Sequence, residues 1–508
     1  MPDLADETLS GDLGREVPML LHDLLKQFDP KLSRTGLPNV EITGVKEDSR
    51  RVVPGSLFIA RPGAQADGAS FIADAHARGA AAVVVDHKLP TSPLPQIVVK
   101  DAASAACGLA HLFHGDPTRT VRVIGVTGTN GKTTTAYLIR HLLRKVGQKC
   151  GMIGTVQIDD GRRTSEATMT TPGVTDLAEL LASMRDNGCR ICAMEVSSHA
   201  LHQKRVQGIR FVAAGFTNLT GDHLDYHGTM DDYAAAKALL FKDLNDVGVA
   251  VINADDKASD HMIDECSARI MKFGFNKKAD YFAKDILVTA GGSKFVLVTP
   301  DGESPVNMEL IGKHNIENAL TAAALVGETF GLSVHQIAAG LNDAQGAPGR
   351  LQSVRAGQSF AVLVDYAHTD DALENVLSAL RPLTRGKLRV LFGCGGDRDR
   401  TKRPRMARTA QKFADVIYVT SDNPRGEHPN SIIEQILAGF SSNSTKPVRV
   451  EPDRRAAIAM ALQEANPGDI VLLAGKGHEN YQIIGQEKRH FDDVEEAARI
   501  LQSREVAA

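Results

Sequence analysis

Long apolar runs are missing from this chain: its 508 residues contain no stretch of ~20 consecutive apolar residues, the length a membrane-crossing helix needs. An export signal is not expected either. The segment 1–16 is acidic and lacks the basic start and apolar stretch of such a signal, so a cytoplasmic location is expected. Charge of one sign is not in excess: the formal net charge is -4, with 17 histidines counted as neutral, so a nucleic-acid binder would have to concentrate its positive surface locally. Cysteine is scarce. Of the six, only Cys189 and Cys192 lie close together, as C-R-I-C. That pair runs into the apolar stretch 191–194, where a strand sends alternate side chains to opposite faces or nearly so; buried thiols are expected, not a redox or zinc site.

What is present is ordinary globular composition, 43% apolar and 24% charged, in a chain long enough for about two to four domains. The first 18 or so residues read as a loose tail. Strand-like runs at 56–60, 80–85 and 96–100 surround a helical candidate at 71–78, and a helix at 102–113 leads into a linker at 114–118. Further strands are expected at 121–124, 190–194, 211–216 and 249–252, alternating with helices at 133–146, 177–186 and 231–241. A third region repeats the style at 360–364, 388–392, 416–420 and 470–473, each run ending in a polar or glycine-rich loop. Such alternation predicts α/β domains with mostly parallel sheets, and the loops beyond the strands' carboxyl ends are where ligands bind. The expected divisions are 1–116, 117–347 and 348–508.

The sharpest local signal is Gly125-Val126-Thr127-Gly128-Thr129-Asn130-Gly131-Lys132-Thr133-Thr134, between a strand and a helix. Its glycines let backbone amides wrap a phosphate, Lys132 can reach the outer phosphates, and Thr133 can ligate magnesium. Val126 stands where the usual spacing has its first glycine. A phosphate loop alone fits a kinase, a motor, a GTPase or a ligase. Glu195, after a strand, can complete a magnesium shell or simply cap the next helix. His223 can contact metal or phosphate, or fix its loop by hydrogen bonding. Lys237, in an alanine-rich helix, reads on its own as an exposed, salt-bridging lysine.

Taken in order, the motifs are Asp48-Ser49-Arg50, Gln65-Ala66-Asp67-Gly68, the phosphate loop, Thr170-Thr171-Pro172, Glu195-Val196-Ser197-Ser198-His199, Asp222-His223, Lys237, Gly312-Lys313-His314-Asn315, Gly349-Arg350, Asp365-Tyr366-Ala367-His368, Asp422-Asn423-Pro424-Arg425 and Gly475-Lys476-Gly477-His478-Glu479. This order, over nearly the whole chain, resembles the Mur ligase family. The resemblance implies a three-domain α/β architecture, with an N-terminal domain for the UDP portion of the substrate, a central P-loop domain for ATP and a Rossmann-like C-terminal domain for the incoming amino acid. It implies that Ser49, Gln65 and Ala66 hold the uridine nucleotide, and that Thr170, Thr171, Ser197, Gln203 and Arg205 contact the muramoyl dipeptide. Gly128, Thr129, Asn130, Gly131, Lys132, Thr133 and Thr134, with Asn315, Arg350 and Asp365, become ATP contacts. Lys132, Glu195, His223 and Lys237 become catalytic, and Thr133, Glu195, His223 and Lys237 the magnesium set. Lys237 takes the position of a carbamylated lysine, whose carboxylate can favour a cation that an ammonium would repel.

The implied activity is ATP-dependent addition of meso-2,6-diaminopimelate to UDP-N-acetylmuramoyl-L-alanyl-D-glutamate in peptidoglycan synthesis, through an acyl phosphate, by a monomer with no nucleic-acid or membrane partner. Asp422, Asn423, Pro424 and Arg425, with Arg398, Gly475 and Glu479, resemble the diaminopimelate site. Arg425 offers a planar fork to the second carboxylate, which lysine lacks; the competing reading is a surface ion pair between Arg425 and Glu427. No side-chain nucleophile is required, and neither Ser197 nor Cys394 is expected to be one. Three positions depart from the family pattern: Gln352 in place of a glutamate, Asp370 in place of a proline and His428 in place of an acid. A lysine-adding ligase, a folylpolyglutamate-synthase-like ligase and an ATP-binding module without ligase activity are the rival readings.

Overall fold

The apolar runs become strands buried on both faces, the signature of parallel sheets covered by helices. In a computed structural model of the chain, residues 19–63 and 67–505 are described; Gln65 and Ala66 lie outside them. The described residues pack as two units, one reaching to Tyr281 and including Thr321–Leu332, the other formed by Phe282–Leu320 and the residues from Ser333 onward.

The first unit opens with a parallel four-stranded sheet, β1 (Gly44–Lys46), β2 (Ser56–Ile59), β3 (Ala82–Val85) and β4 (Gln96–Val98), paired in that order. Helix α1 (Ala102–Phe113) follows, its start capped by Asp101, whose carboxylate accepts from the amides of Ala103 and Ser104. Such a cap contributes about 1 kcal/mol. The expected linker is instead a packed turn: Pro117 and Thr118 are buried, and Arg185 Nη1 donates to His114 O at 2.7 Å.

Next come β5 (Arg122–Thr127), α2 (Lys132–Lys145), β6 (Cys150–Ile153), β7 (Gln157–Asp159), β8 (Thr164–Glu166), β9 (Ile191–Glu195), α3 (Ser198–His202), β10 (Phe211–Phe216), α4 (Met230–Lys242), β11 (Val249–Asn253) and β12 (Arg269–Gly274). Their spatial order is β8-β7-β6-β9-β5-β10-β11-β12, with β7 and β8 antiparallel additions to a parallel sheet. Because β9 and β10 lie on opposite sides of β5, the connections leaving these strands part company at the carboxyl end of β5. A crevice opens at such a switch point. Cys189 precedes β9 and Cys192 lies within it; both are free and fully buried, as expected for structural thiols.

The second unit contains all but the first residue, Tyr281, of an antiparallel meander, β13 (Tyr281–Thr289), β14 (Gly292–Thr299) and β15 (Gly302–Met308). Its main sheet has the order β16-β17-β21-β18-β19-β20, from β16 (Gln352–Ser353), β17 (Ala361–Asp365), β18 (Leu388–Phe392), β19 (Val416–Val419), β20 (Val448–Val450) and β21 (Ile470–Ala474), all parallel except β16. Every residue of β18 and β21 is buried, each large side chain contributing about 1.5–3 kcal/mol of transfer free energy. A hairpin, β22 (Tyr481–Ile484) and β23 (Glu487–His490), follows the main sheet. Among the described residues, no helix is long and apolar enough to cross a membrane.

Candidate functional site

At the end of β5 the chain turns through Gly128, whose φ of 145° and close approach to Thr217 leave no room for a side chain: a Cβ would lie 1.9 Å from Thr217 Oγ1. The loop is tied to the end of β10. Thr129 N donates to Asn218 O at 2.8 Å, Asn130 N to Asn218 Oδ1 at 2.9 Å, and Thr217 Oγ1 to Asn130 O at 2.6 Å. Lys132 Nζ folds back onto Gly128 O and Thr129 O, each at 2.8 Å, an arrangement that places a cation inside the loop. Lys237 is not the exposed lysine that its helix suggested. It is 1% exposed, donates to Gly128 O at 2.8 Å and sits 4.3 Å from the centre of the Tyr233 ring. Burial first, and the Lys132 charge second, push its ammonium well below the ordinary lysine range, against the opposing pull of Asp222.

Glu195, 1% exposed at the end of β9, joins two groups of predicted residues. Its Oε2 accepts from Thr133 Oγ1 at 2.8 Å and from Thr155 Oγ1 at 3.0 Å, and its Oε1 accepts from Thr155 N at 2.7 Å. Thr155 Oγ1 lies 3.0 Å from Thr170 Oγ1, and Thr171 Oγ1 donates to Glu195 O at 2.9 Å while accepting from Ser197 N at 3.1 Å. Arg205 donates to Thr171 O at 3.0 Å and to Gln203 Oε1 at 2.6 Å. The predicted phosphate residue Thr133 and the predicted dipeptide residues Thr170, Thr171, Ser197, Gln203 and Arg205 thus form one hydrogen-bonded chain through Glu195. Thr155 had no motif to mark it. Ser197 Oγ is engaged as the cap of α3, accepting from Ala200 N at 3.2 Å.

His223 stands apart from that chain, half exposed and 3.6 Å from Asp222, with its ring against His199 at 4.8 Å. His199, His202, Tyr226 and His227 continue this ring cluster. Burial, then His223 and His227, lower His199 to about 4. Tyr226 OH accepts from Gln203 Nε2 at 3.0 Å, another contact that no motif marked. Ser49 is buried in the short turn Ser49–Arg51, whose start Asp48 caps.

In the second unit Asp365 ends β17, 6% exposed, and its two oxygens accept from Leu351 N and Ala367 N at 2.8 Å each. Burial raises its pKa; Arg350 and these amides oppose the rise. Gly349 is required next to it, since a Cβ there would lie 2.1 Å from Gly477 C. The Arg350 guanidinium lies 5.2 Å from the centre of the Tyr366 ring, which also stacks on His368 and His478. Asn315 is buried, its Nδ2 donating to Ile311 O at 2.9 Å. The departures have structural uses: Gln352 Oε1 accepts from Gly349 N at 2.8 Å, Asp370 pairs with Arg405 at 3.0 Å, and His428 caps Pro429–Leu437.

The loop after β19 holds Asp422 and Asn423 buried, while Arg425 is half-buried with φ 51°. Arg425 Nη1 donates to Gly396 O at 3.0 Å. Glu427 is not its partner: Arg403 binds both Glu427 oxygens, at 3.0 and 2.9 Å, and holds that carboxyl down to about 2. The guanidinium of Arg425 therefore has no surface ion pair with Glu427. Asn423 Nδ2 donates to Glu479 Oε2 at 2.8 Å, and Gly475, with φ 110°, starts the loop after β21 beside Asp422. Arg398 is exposed, donating to Asp397 O at 3.2 Å.

A phosphate loop coupled through Glu195 to a hydrogen-bonded cluster of threonine, serine and arginine, and a separate acid, amide and arginine loop on a parallel sheet, define a nucleotide-using α/β enzyme. Three family models match the chain: "Mur ligase family, catalytic domain" over 41–110, "Mur ligase middle domain" over 126–326, and "Mur ligase, glutamate ligase domain" over 349–477. The chain belongs to the Mur ligase family, with its three-domain α/β architecture. It is 46% identical over 472 residues to the UDP-N-acetylmuramoyl-L-alanyl-D-glutamate--2,6-diaminopimelate ligase of Geobacillus kaustophilus, covering 92% of this chain and 96% of that protein. The ligase of the same name from Gloeobacter violaceus is 45% identical over 491 residues, covering 96% of this chain and 99% of its own. A solved structure of a ligase with that name aligns with TM-score 0.70 and 34% identity over 96% of this chain and 100% of that one.

Proposed function

We propose that this chain is a cytoplasmic, monomeric ligase of peptidoglycan synthesis that couples ATP hydrolysis to the joining of meso-2,6-diaminopimelate to UDP-N-acetylmuramoyl-L-alanyl-D-glutamate. The products are the UDP-N-acetylmuramoyl tripeptide, ADP and phosphate. The observation that carries the reading is Glu195, whose carboxylate accepts from the phosphate-loop Thr133 on one side and from Thr155 on the other, the Thr155 hydroxyl lying in turn 3.0 Å from that of Thr170. The ATP γ-phosphate and the substrate carboxylate must meet where such groups meet. The names of the similar ligases support the same assignment.

In this reading an oxygen of the D-glutamyl carboxylate attacks the γ-phosphorus, and ADP leaves. The amine of diaminopimelate then attacks the acyl carbon, phosphate departs and the amine loses its proton. Lys132 and the amides of residues 128–134 offset charge on the phosphates. Thr133 and Glu195 offer hard oxygens 2.8 Å apart, which fits magnesium, an ion that keeps water and phosphate oxygens for the rest of its shell. Magnesium, with Lys237 and His223 as further members of its set, supplies charge neutralisation at the phosphates. Lys237 favours a carbamate because a neutral buried amine can add carbon dioxide, releasing one proton and gaining a carboxylate. Asn315, Arg350 and Asp365 are assigned to ATP, and Ser49, Gln65 and Ala66 to the uridine nucleotide. Asp422, Asn423, Pro424, Arg425, Arg398, Gly475 and Glu479 are assigned to diaminopimelate.

An enzyme nucleophile is not needed. Ser197 is occupied as a helix cap, and burial pushes the Cys394 thiol up to about 12, far from the thiolate form. Purified protein incubated with ATP, magnesium, the UDP-muramoyl dipeptide and diaminopimelate should yield tripeptide and ADP in equal amounts by mass spectrometry. Nucleotide binding without tripeptide would favour a module that binds ATP and ligates nothing.

A further inference from the structure

Beneath the loop 422–425 lies a lysine that the proposed reaction leaves without a role. Lys476 is 0% exposed. Its Nζ donates to Tyr481 O and lies 3.5 Å from Asn423 Oδ1, 3.5 Å from Glu479 Oε2 and 3.7 Å from Asp422 Oδ1. Three of these four oxygens belong to side chains assigned to the incoming amino acid. Asp422 Oδ1 is itself buried and has no hydrogen-bond partner among the described residues. An unpartnered carboxylate oxygen in a buried site is costly. The Lys476 Nζ, 3.7 Å away, offsets part of that cost by charge, while the oxygen's hydrogen-bonding capacity stays unfilled.

The hairpin β22–β23 fixes the same loop from outside. Gln482 Nε2 donates to Asp422 O at 2.8 Å, and Ile483 N donates to Asn423 Oδ1 at 3.0 Å. Arg425 N donates to Ile483 O at 3.0 Å, and Gly485 N donates to Arg425 O at 2.8 Å. The last two bonds hold a non-glycine residue at φ 51°, a left-handed conformation that a side chain with a Cβ disfavours. Without the hairpin, nothing in this set of contacts would keep Arg425 in that conformation.

We propose that Lys476 and the β22–β23 hairpin are the positioning apparatus of the amino-acid site, an inference that rests on the function proposed above. Lys476 touches no substrate. Set between the two carboxylates, it fixes Asp422 and Glu479 as paired acceptors for the far ammonium of the diamino acid, while the hairpin aims Arg425 at the far carboxylate. Without this cation between them, the like charges of the two carboxylates would push them apart.

The test is steady-state kinetics of the full-length protein and of Lys476→Met and Gln482→Ala, at saturating ATP and UDP-muramoyl dipeptide. Two acceptors are compared: meso-diaminopimelate, and 2-aminopimelate, which keeps the far carboxylate and lacks the far ammonium. Lys476→Met should raise KM for diaminopimelate about 10-fold or more, leave KM for ATP within about twofold, and erase most of the preference for diaminopimelate over 2-aminopimelate. Gln482→Ala removes one hydrogen bond from a half-buried position and should raise the same KM about threefold with an unchanged melting temperature. If Lys476→Met does not fold, Gln482→Ala decides. An unchanged KM for diaminopimelate, an equal rise in KM for ATP, or an intact preference between the two acceptors overturns the proposal. Failure of the unaltered protein to make tripeptide from diaminopimelate is a different result, since it overturns the functional reading and this inference together.

Discussion

Lys237 beside the phosphate loop and Lys476 beneath the amino-acid loop are 1% and 0% exposed, yet their surroundings are opposite. Lys237 meets one carbonyl, an aromatic face and the charge of a second lysine, Lys132. Lys476 meets a carbonyl together with oxygens of Asp422, Asn423 and Glu479. Both side chains are buried, so the neighbours decide what each lysine is for. Buried and facing a cation, Lys237 is driven toward the neutral amine, the form that the proposed carbamate requires. Facing acids, Lys476 serves as an internal tether. The phosphate region and the amino-acid region are thus built around opposite uses of the same side chain.

The largest effect that would break this comparison belongs to the phosphate region. Lys132→Ala should lower kcat by ~10²–10³-fold while the protein stays folded, because it removes a cation aimed at the transferring phosphoryl group. Normal turnover would show that the loop does not serve the reaction. Next comes Lys237→Ala, expected to cost up to about 100-fold in activity and to recover partly when a small carboxylate such as formate is added. Unaltered enzyme supplied with carbon-13 bicarbonate should show a carbamate carbon resonance that the variant lacks. A fully active, substrate-saturated enzyme with no such resonance would reject carbamylation.

The smallest effect concerns histidines in both units. Burial, the largest cause at each site, lowers His114, His199 and His478 to about 4 from an ordinary 6.5. Between those values the unfolded chain binds more protons than the folded one, so stability rises with pH. Their contribution is complete above about pH 6.5 and is lost as pH falls toward 4. Thermal melts should therefore fall across that window, and His114→Gln should shallow the slope. An unchanged slope in the variant would remove His114 from the account.

Much of this was legible from apolar runs. The strands expected at 211–216 and 388–392 are β10 and β18 with the same limits, since a strand covered on both faces is apolar along nearly all its length; in β18 the exception is the buried Arg389, which is paired with Asp469. The meander β13–β15 was not, because its side chains alternate between buried and exposed and its apolar signal is diluted with lysine, serine and glutamate. The hairpin β22–β23 was missed for a stronger version of the same reason: every residue of β23 is exposed. In the site, the phosphate loop announced itself through glycine and lysine spacing. Burial of Lys237 could not be read from an alanine-rich helix, which has no polar face to say which side meets solvent. Thr155 and Tyr226 carry no motif and gain significance only from what folding places beside them. Arg425 was marked by its neighbours in sequence, but its freedom from Glu427 depends on Arg403, 22 positions earlier in the chain.

The central claim is a division of labour in which one region activates a carboxylate and the other chooses a diamino acid by its second carboxylate. Steady-state tripeptide formation with meso-diaminopimelate and with L-lysine, for the unaltered protein and Arg425→Ala at saturating ATP and UDP-muramoyl dipeptide, tests it most directly. The account predicts strong preference for diaminopimelate in the unaltered protein. It also predicts a rise of about 10-fold or more in KM for diaminopimelate in the variant, with KM for ATP nearly unchanged, because the lost contact is a charge-assisted pair at the far carboxylate. Equal use of L-lysine by the unaltered protein, or unchanged diaminopimelate kinetics in Arg425→Ala, would contradict it.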